Sequence, residues 1–146
     1  MSEASRLAGG CLCGAVRFTA APATHDYGVC HCTMCRRWTA GPFMAIECDG
    51  TMEFEKGADL GLYRSSDWAE RGFCRKCGTP LFYKLRGQND YYVSTEAFDD
   101  TGDFRLVREI FVEEKPAHYA FANDTMKMTG AEVMAEFGAS QEGGEA

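Results

Sequence analysis

Three thiols fall within six residues in Cys30-His31-Cys32-Thr33-Met34-Cys35. In an extended segment the side chains at i and i+2 share a face, so Cys30 and Cys32 point the same way. A turn through Thr33 and Met34 brings Cys35 to the same point. Three converging sulfurs suit a soft divalent metal, with zinc the usual choice. Three protein ligands leave one position of a tetrahedral ion for water or substrate, as in catalytic sites, whereas structural sites are closed by four. A fourth ligand from elsewhere would make this site purely structural. His31 lies between two ligands and should face away from both; Cys48 is the better candidate.

The remaining cysteines bear on that choice. Cys11 and Cys13 form C-x-C, and Cys74 and Cys77 form C-x-x-C followed by Gly78. Two chelating pairs complete a closed four-thiolate site, and the glycine allows a tight turn with positive φ. Joining residue 11 to residue 77 through one ion would make zinc part of folding. Cys30, Cys32 and Cys35 are then left as an open site. Cys48, in an apolar stretch beside a turn, reads as a small buried hydrophobe.

The elements that must position these residues are short. Residues 1–8 read as a leader. Ala15 to Ala20 alternates as a strand ended by Pro22, and Asp26 to Val29 is a second extended piece leading into Cys30. Phe43 to Cys48 reads as a buried strand, Asp49-Gly50 as a hairpin turn and Thr51 to Glu55 as the returning strand. Further strands are expected at Leu60 to Arg64, Pro80 to Leu85, Tyr91 to Ser94 and Leu106 to Val112, the last broken by Pro116. Thr129-Gly-Ala-Glu132 matches a capping box and starts a short C-terminal helix running to about Phe137. Residues 138–146 read as a flexible tail. The pattern predicts an all-β fold, with one domain over 9–137.

With 45% hydrophobic and 12% aromatic residues the chain can build a core. It has no apolar run of membrane-spanning length and no secretory signal at its start. A reducing, cytoplasmic setting is therefore expected, in which cysteines bind metal rather than pair. The net charge of −7 argues against nucleic acid and anionic membranes as partners. Homo-oligomerisation is left open.

The order Gly10-Cys11-x-Cys13-Gly14, Cys30-x-Cys32-x-x-Cys35-Arg36, Gly41, and Phe73-Cys74-x-x-Cys77-Gly78-Thr79 resembles the glutathione-dependent formaldehyde-activating enzyme family, which includes centromere protein V-like domains. The likeness spans about residues 9 to 115. It implies a β-tent fold of short antiparallel sheets with two zinc sites. The structural zinc would map to Cys11, Cys13, Cys74 and Cys77, and the catalytic zinc to Cys30, Cys32 and Cys35. The implied activity is the reversible condensation of glutathione with formaldehyde to S-(hydroxymethyl)glutathione, a carbon–sulfur lyase/ligase reaction.

Glutathione carries two carboxylates, so a binder needs cations near the metal. Arg36 and Arg37, directly after Cys35, are the candidates, and His25, His31 and His118 are possible proton carriers. The competing reading is a non-catalytic zinc module that binds a protein partner, which a fourth protein ligand at the second zinc would favour.

Overall fold

A computed structural model describes residues 6–50 and 52–136. It is mostly β, as expected, and resolves into two compact units. The first contains residues 6–27 and 44–105, the second residues 28–43 and 106–136.

In the first unit a small antiparallel sheet is ordered β1 (Leu7–Gly10), β2 (Arg17–Ala20) and β5 (Glu53–Phe54). A second run is ordered β4 (Phe43–Asp49), β9 (Asp90–Ser94), β8 (Pro80–Leu85), β7 (Ala69–Cys74) and β6 (Leu60–Arg64). Leu7 and Ala8, expected in a leader, are paired with Ala20 and Thr19. The expected hairpin at Asp49-Gly50 does not form between its flanking segments. β4 pairs with β9, and β5 pairs with β2 through Phe18↔Phe54 and Thr19↔Glu53. Aromatic packing accounts for the choice. Phe18 meets Phe54 at 6.2 Å and Phe98 at 5.5 Å, and Phe54 meets Phe82 at 6.0 Å between ring centroids. Phe18 and Phe82 are each 2% exposed, and burying such a ring contributes about 1.5–3 kcal/mol. A two-residue turn preference is weaker than that. Thr51 lies outside the described residues.

In the second unit the strand order is β11 (Met126–Met128), β10 (Arg105–Ile110) and β3 (Asp26–Cys30), with β10 and β11 parallel. β10 stops at Ile110, earlier than Pro116 would require, because Phe111 takes a left-handed conformation with φ 57°. A 3-10 turn at Val112–Glu114 follows. Residues 130–136 form the expected helix. Its capping box is made: Glu132 N donates to Thr129 Oγ1 at 3.1 Å, and Thr129 N donates to Glu132 Oε1 at 2.8 Å. Its expected end at Phe137, the tail at 138–146 and residues 1–5 lie outside the described residues.

The sequence did not reveal α1 (Thr33–Thr39). Its N-cap is Cys32, in extended geometry, and its C-cap is Ala40, in left-handed geometry with φ 63°. Among the described residues no helix is long and apolar enough to cross a membrane.

Candidate metal centres

Two groups of cysteines converge, and each lies within one unit. Cys11, Cys13, Cys74 and Cys77 bring their sulfurs within 4.8 Å of one another in the first unit, and Cys30, Cys32 and Cys35 do so in the second. All eight cysteines are free thiols.

The four-sulfur group is built from the turn after β1 and the knuckle after β7. In a tetrahedral site with metal–sulfur bonds of about 2.3 Å, neighbouring sulfurs lie about 3.8 Å apart. Cys11 Sγ and Cys13 Sγ are 3.7 Å apart, and Cys13 Sγ and Cys74 Sγ 3.8 Å. Backbone N–H groups are aimed at the sulfurs: Val16 N at Cys11 (3.2 Å), and Lys76 N and Cys77 N at Cys74 (3.3 Å each). Such donors favour the thiolate. The Thr79 hydroxyl, 3.1 Å from Cys77 Sγ, is the main reason that thiol is lowered to about 5. Gly78 has φ 86°, the positive value expected of the knuckle glycine. Spacing and donors both fit a closed thiolate metal site.

The three-sulfur group is built from the end of β3 and the start of α1. Cys32, as N-cap, accepts a hydrogen bond from Cys35 N at 3.4 Å. The sulfur thus takes the place of the oxygen that usually caps a helix, and the C-x-x-C spacing is the N-cap-to-N3 spacing of a capping motif. Hydrogen bonds from Cys30 and then Cys35 lower Cys32 to about 2, while the same bond raises Cys30 far above the ordinary thiol range. A divalent ion would permit three thiolates, so the donor set fits a metal.

Among the described residues no fourth cysteine, histidine or carboxylate joins this group. Cys48 is fully buried in the core with Ile46, Phe82 and Val93, and desolvation pushes its thiol up to about 12. His31 is also fully buried and uses both ring nitrogens elsewhere: Nδ1 lies 2.8 Å from Tyr119 Oη, and Nε2 2.8 Å from Glu109 Oε1. Burial alone would raise Glu109, but hydrogen bonds from Thr125 and His31, with the charge of Lys127, hold it below the usual carboxylate range. The ionised carboxylate accepts from Nε2–H, so in the neutral ring Nδ1 accepts from the Tyr119 hydroxyl. His25 is exposed in the first unit, and His118 is exposed beside Tyr119.

The two candidate arginines differ. Arg36 is a strut: Nε donates to His31 O at 2.9 Å and Nη2 to Glu114 O at 3.1 Å. Arg37 is exposed, with no ion pair among the described residues. Together with Thr33 the two arginines line an open surface pocket. Glu114, which sequence reasoning did not single out, accepts from Thr33 N at 2.8 Å and Thr33 Oγ1 at 3.0 Å, tying down the first turn of α1.

Residues 6–114 match the glutathione-dependent formaldehyde-activating enzyme family. The chain belongs to that family. It is 35% identical over 127 residues to an uncharacterised lyase of Schizosaccharomyces pombe, covering 86% of this chain and 93% of the relative. It is 31% identical over 85 residues to a Halomonas elongata protein assigned by name to the same family, covering 52% of this chain and 54% of that protein. A crystal structure of a Rhodobacter sphaeroides protein superposes with a TM-score of 0.56 at 26% identity, over 69% of this chain and all of the other.

Proposed function

We propose that the protein is a zinc-dependent carbon–sulfur lyase that joins and separates a small thiol and a small aldehyde, with glutathione and formaldehyde as the leading pair. The observation that carries this reading is the three-thiolate cluster at the start of α1, with no fourth ligand among the described residues. Family membership and a relative named as a lyase support the reaction class. The four-thiolate site is read as structural zinc, and the domain as the β-tent implied by the family resemblance. Eight free cysteines suit a reducing cytoplasm.

A zinc ion held by Cys30, Cys32 and Cys35 would supply a position at which an external thiol is kept as thiolate at neutral pH. The three sulfurs of Cys30, Cys32 and Cys35 would weaken such an ion's pull on an aldehyde oxygen, which favours thiol handling over carbonyl activation. In the forward direction the thiol sulfur forms a bond to the carbonyl carbon, and the proton lost by the thiol ends on the former carbonyl oxygen. The protein's part is to bind and orient. Arg37 is free to meet a carboxylate of the thiol, while Arg36, committed to two backbone carbonyls, holds the wall of the pocket. Proximity supplies much of the rate.

Exchange spectroscopy on glutathione and formaldehyde tests the reading, with metal-depleted protein as the control because the uncatalysed reaction is facile. Zinc-loaded protein should speed exchange, Cys32→Ser should abolish the gain, and Arg37→Ala should weaken thiol binding by about 1.5–3 kcal/mol at most. Equal rates with loaded and depleted protein would reject the substrate pair. A zinc-edge spectrum unchanged by glutathione would reject thiol binding at the metal.

A further inference from the structure

His31 stands between two of the three clustered cysteines, yet it is not placed to bind metal. Every polar group it has is used. Its backbone N–H donates to Ile110 O at 3.1 Å, and its carbonyl accepts from Arg36 Nε at 2.9 Å. Its ring is fixed on one side by Glu109 and on the other by Tyr119. The rings of Tyr119 and Phe121 lie 5.5 and 5.9 Å from the imidazole. Glu109 is itself anchored: its second oxygen accepts from Thr125 Oγ1 at 2.6 Å and lies 3.7 Å from Lys127 Nζ, and Glu109 and Lys127 are register partners on β10 and β11.

A fully buried histidine and a carboxylate only 1% exposed are an expensive way to pack a strand end. An apolar side chain would fill the same space without the desolvation cost of the charge. What the polar pair adds is direction, since hydrogen bonds at both ring nitrogens fix the rotation of the ring as well as its position. His31 directly follows β3, and a shift or rotation of the backbone at residue 31 would swing the side chains on either side of it. Those side chains are the sulfurs of Cys30 and Cys32. A third constraint, from Arg36 on the His31 carbonyl, links this point to α1 and so to Cys35.

We propose that His31 is the positioning residue of the Cys30/Cys32/Cys35 site: gripped by Glu109 and Tyr119, it holds the two flanking sulfurs at metal-binding spacing without touching the metal. The proposal rests on the reading of that cluster as a metal site. The role differs from the usual outer partner of a metal site, which bonds to a ligand atom. Here the support acts through the backbone between two ligands.

The four-thiolate site, built entirely from the other unit, is an internal control. Zinc-loaded protein is challenged with a chelator and release is followed from both sites, the three-thiolate phase being identified by its loss in Cys32→Ser. His31→Phe leaves Glu109 buried without its nitrogen donor and carries a folding risk. Tyr119→Phe removes one hydroxyl and avoids that risk, and His31→Gln can restore one of the two ring contacts.

Outer-shell substitutions typically cost about 10- to 100-fold in metal affinity, and His31→Phe should fall in that range at the three-thiolate site alone. Tyr119→Phe should cost roughly 2- to 10-fold there, the equivalent of one neutral hydrogen bond, and His31→Gln should lie between wild type and His31→Phe. Cobalt-substituted protein, read as the difference from Cys32→Ser, should show a shifted thiolate charge-transfer band in the same variants. Three-site affinity unchanged in both Tyr119→Phe and His31→Gln would overturn the proposal, as would equal weakening of the two sites. A single bound ion in the unaltered protein would reject the metal reading and this inference with it.

Discussion

Glu114 is the residue through which α1 can be loosened without touching a sulfur. Its Oε1 accepts from both the backbone N–H and the hydroxyl of Thr33, the first residue of the helix. Hydrogen bonds to a charged group are each worth about 1.5–3 kcal/mol. The two share one oxygen and Thr33 is exposed, so the lower bound is the better guide. A carboxylate beside a helix N-terminus adds about 0.3–1 kcal/mol, also screened by solvent. Glu114→Ala should therefore destabilise the α1 start by about 1–2 kcal/mol, with Arg36 still held by the Glu114 backbone carbonyl, which the substitution keeps.

Because α1 carries Cys32 and Cys35, the same energy should appear as metal affinity lost at the three-thiolate site. A loss of 1.4 kcal/mol corresponds to about tenfold. Hydrogen exchange at the Arg36 amide, bonded to Cys32 O at 2.9 Å, reads the helix opening directly, and chelator competition reads the site. Glu114→Gln keeps an oxygen acceptor and should recover about half of the loss. Equal loss in the Ala and Gln variants would show that the contact acts through the carboxylate's charge and that a neutral acceptor contributes nothing. An Arg36 amide as protected in Glu114→Ala as in the unaltered protein would refute the reasoning outright.

Metal analysis should find two zinc ions per chain. Cys74→Ser should unfold or aggregate the protein, whereas Cys32→Ser should leave it folded with one ion; one ion in the unaltered chain would contradict this partition. Cys48→Ala should keep both ions, since the thiol is a core group, and should cost about 1 kcal/mol of stability by chemical denaturation. Glu109 is held below the usual carboxylate range by its partners, so the stability it contributes is present above its unfolded pKa of about 4.3 and disappears as the pH falls through the lower folded value. Comparing thermal unfolding of wild type and Glu109→Gln between neutral pH and pH 3 should show their difference shrinking on acidification; a constant difference would mean that the carboxylate is not what stabilises. Gly72→Ala should destabilise by about 1–3 kcal/mol, because an added Cβ would meet the buried Phe82 ring at 2.3 Å; wild-type stability would show that the ring can move aside.

The cysteine clusters could be read from sequence because chelation depends on local spacing. C-x-C and C-x-x-C each dictate that two sulfurs meet, whatever surrounds them. Several strands of the first unit were legible as short local runs, but β1 was read as part of a leader and β7 was not read as a strand, because both are defined by their pairing with neighbouring strands. What else was hidden depends on contacts far apart in sequence. Phe54 leaves the hairpin its turn suggests because Phe18 lies 36 residues earlier across β2. Glu109 is one of two charged residues in an otherwise apolar run, and its burial depends on β11 and His31, which lie far from it in sequence. The missed α1 is the exception, because its signal was present. A helix of seven residues offers little periodicity, but the spacing that makes Cys32 and Cys35 chelate is also the spacing of an N-cap and its third residue.

That coincidence bears on how the two sites can differ while sharing a ligand type. In the first unit the sulfurs come from two turns 61 residues apart, Cys13 and Cys74 being in contact, so a metal there ties distant parts of the chain and its loss is felt as unfolding. In the second unit the sulfurs span six residues, and a metal closes almost no chain. Its cluster is held instead by the protein, through the α1 cap, the Glu114 clamp and the buried His31. A site organised without help from its metal can tolerate exchange of what the metal binds, which is the property a thiol-handling centre needs. The same argument predicts the order of metal loss: mild chelation should empty the three-thiolate site first and leave the fold intact, as judged by circular dichroism. Coincident loss of both ions with unfolding would show instead that the two sites are energetically one.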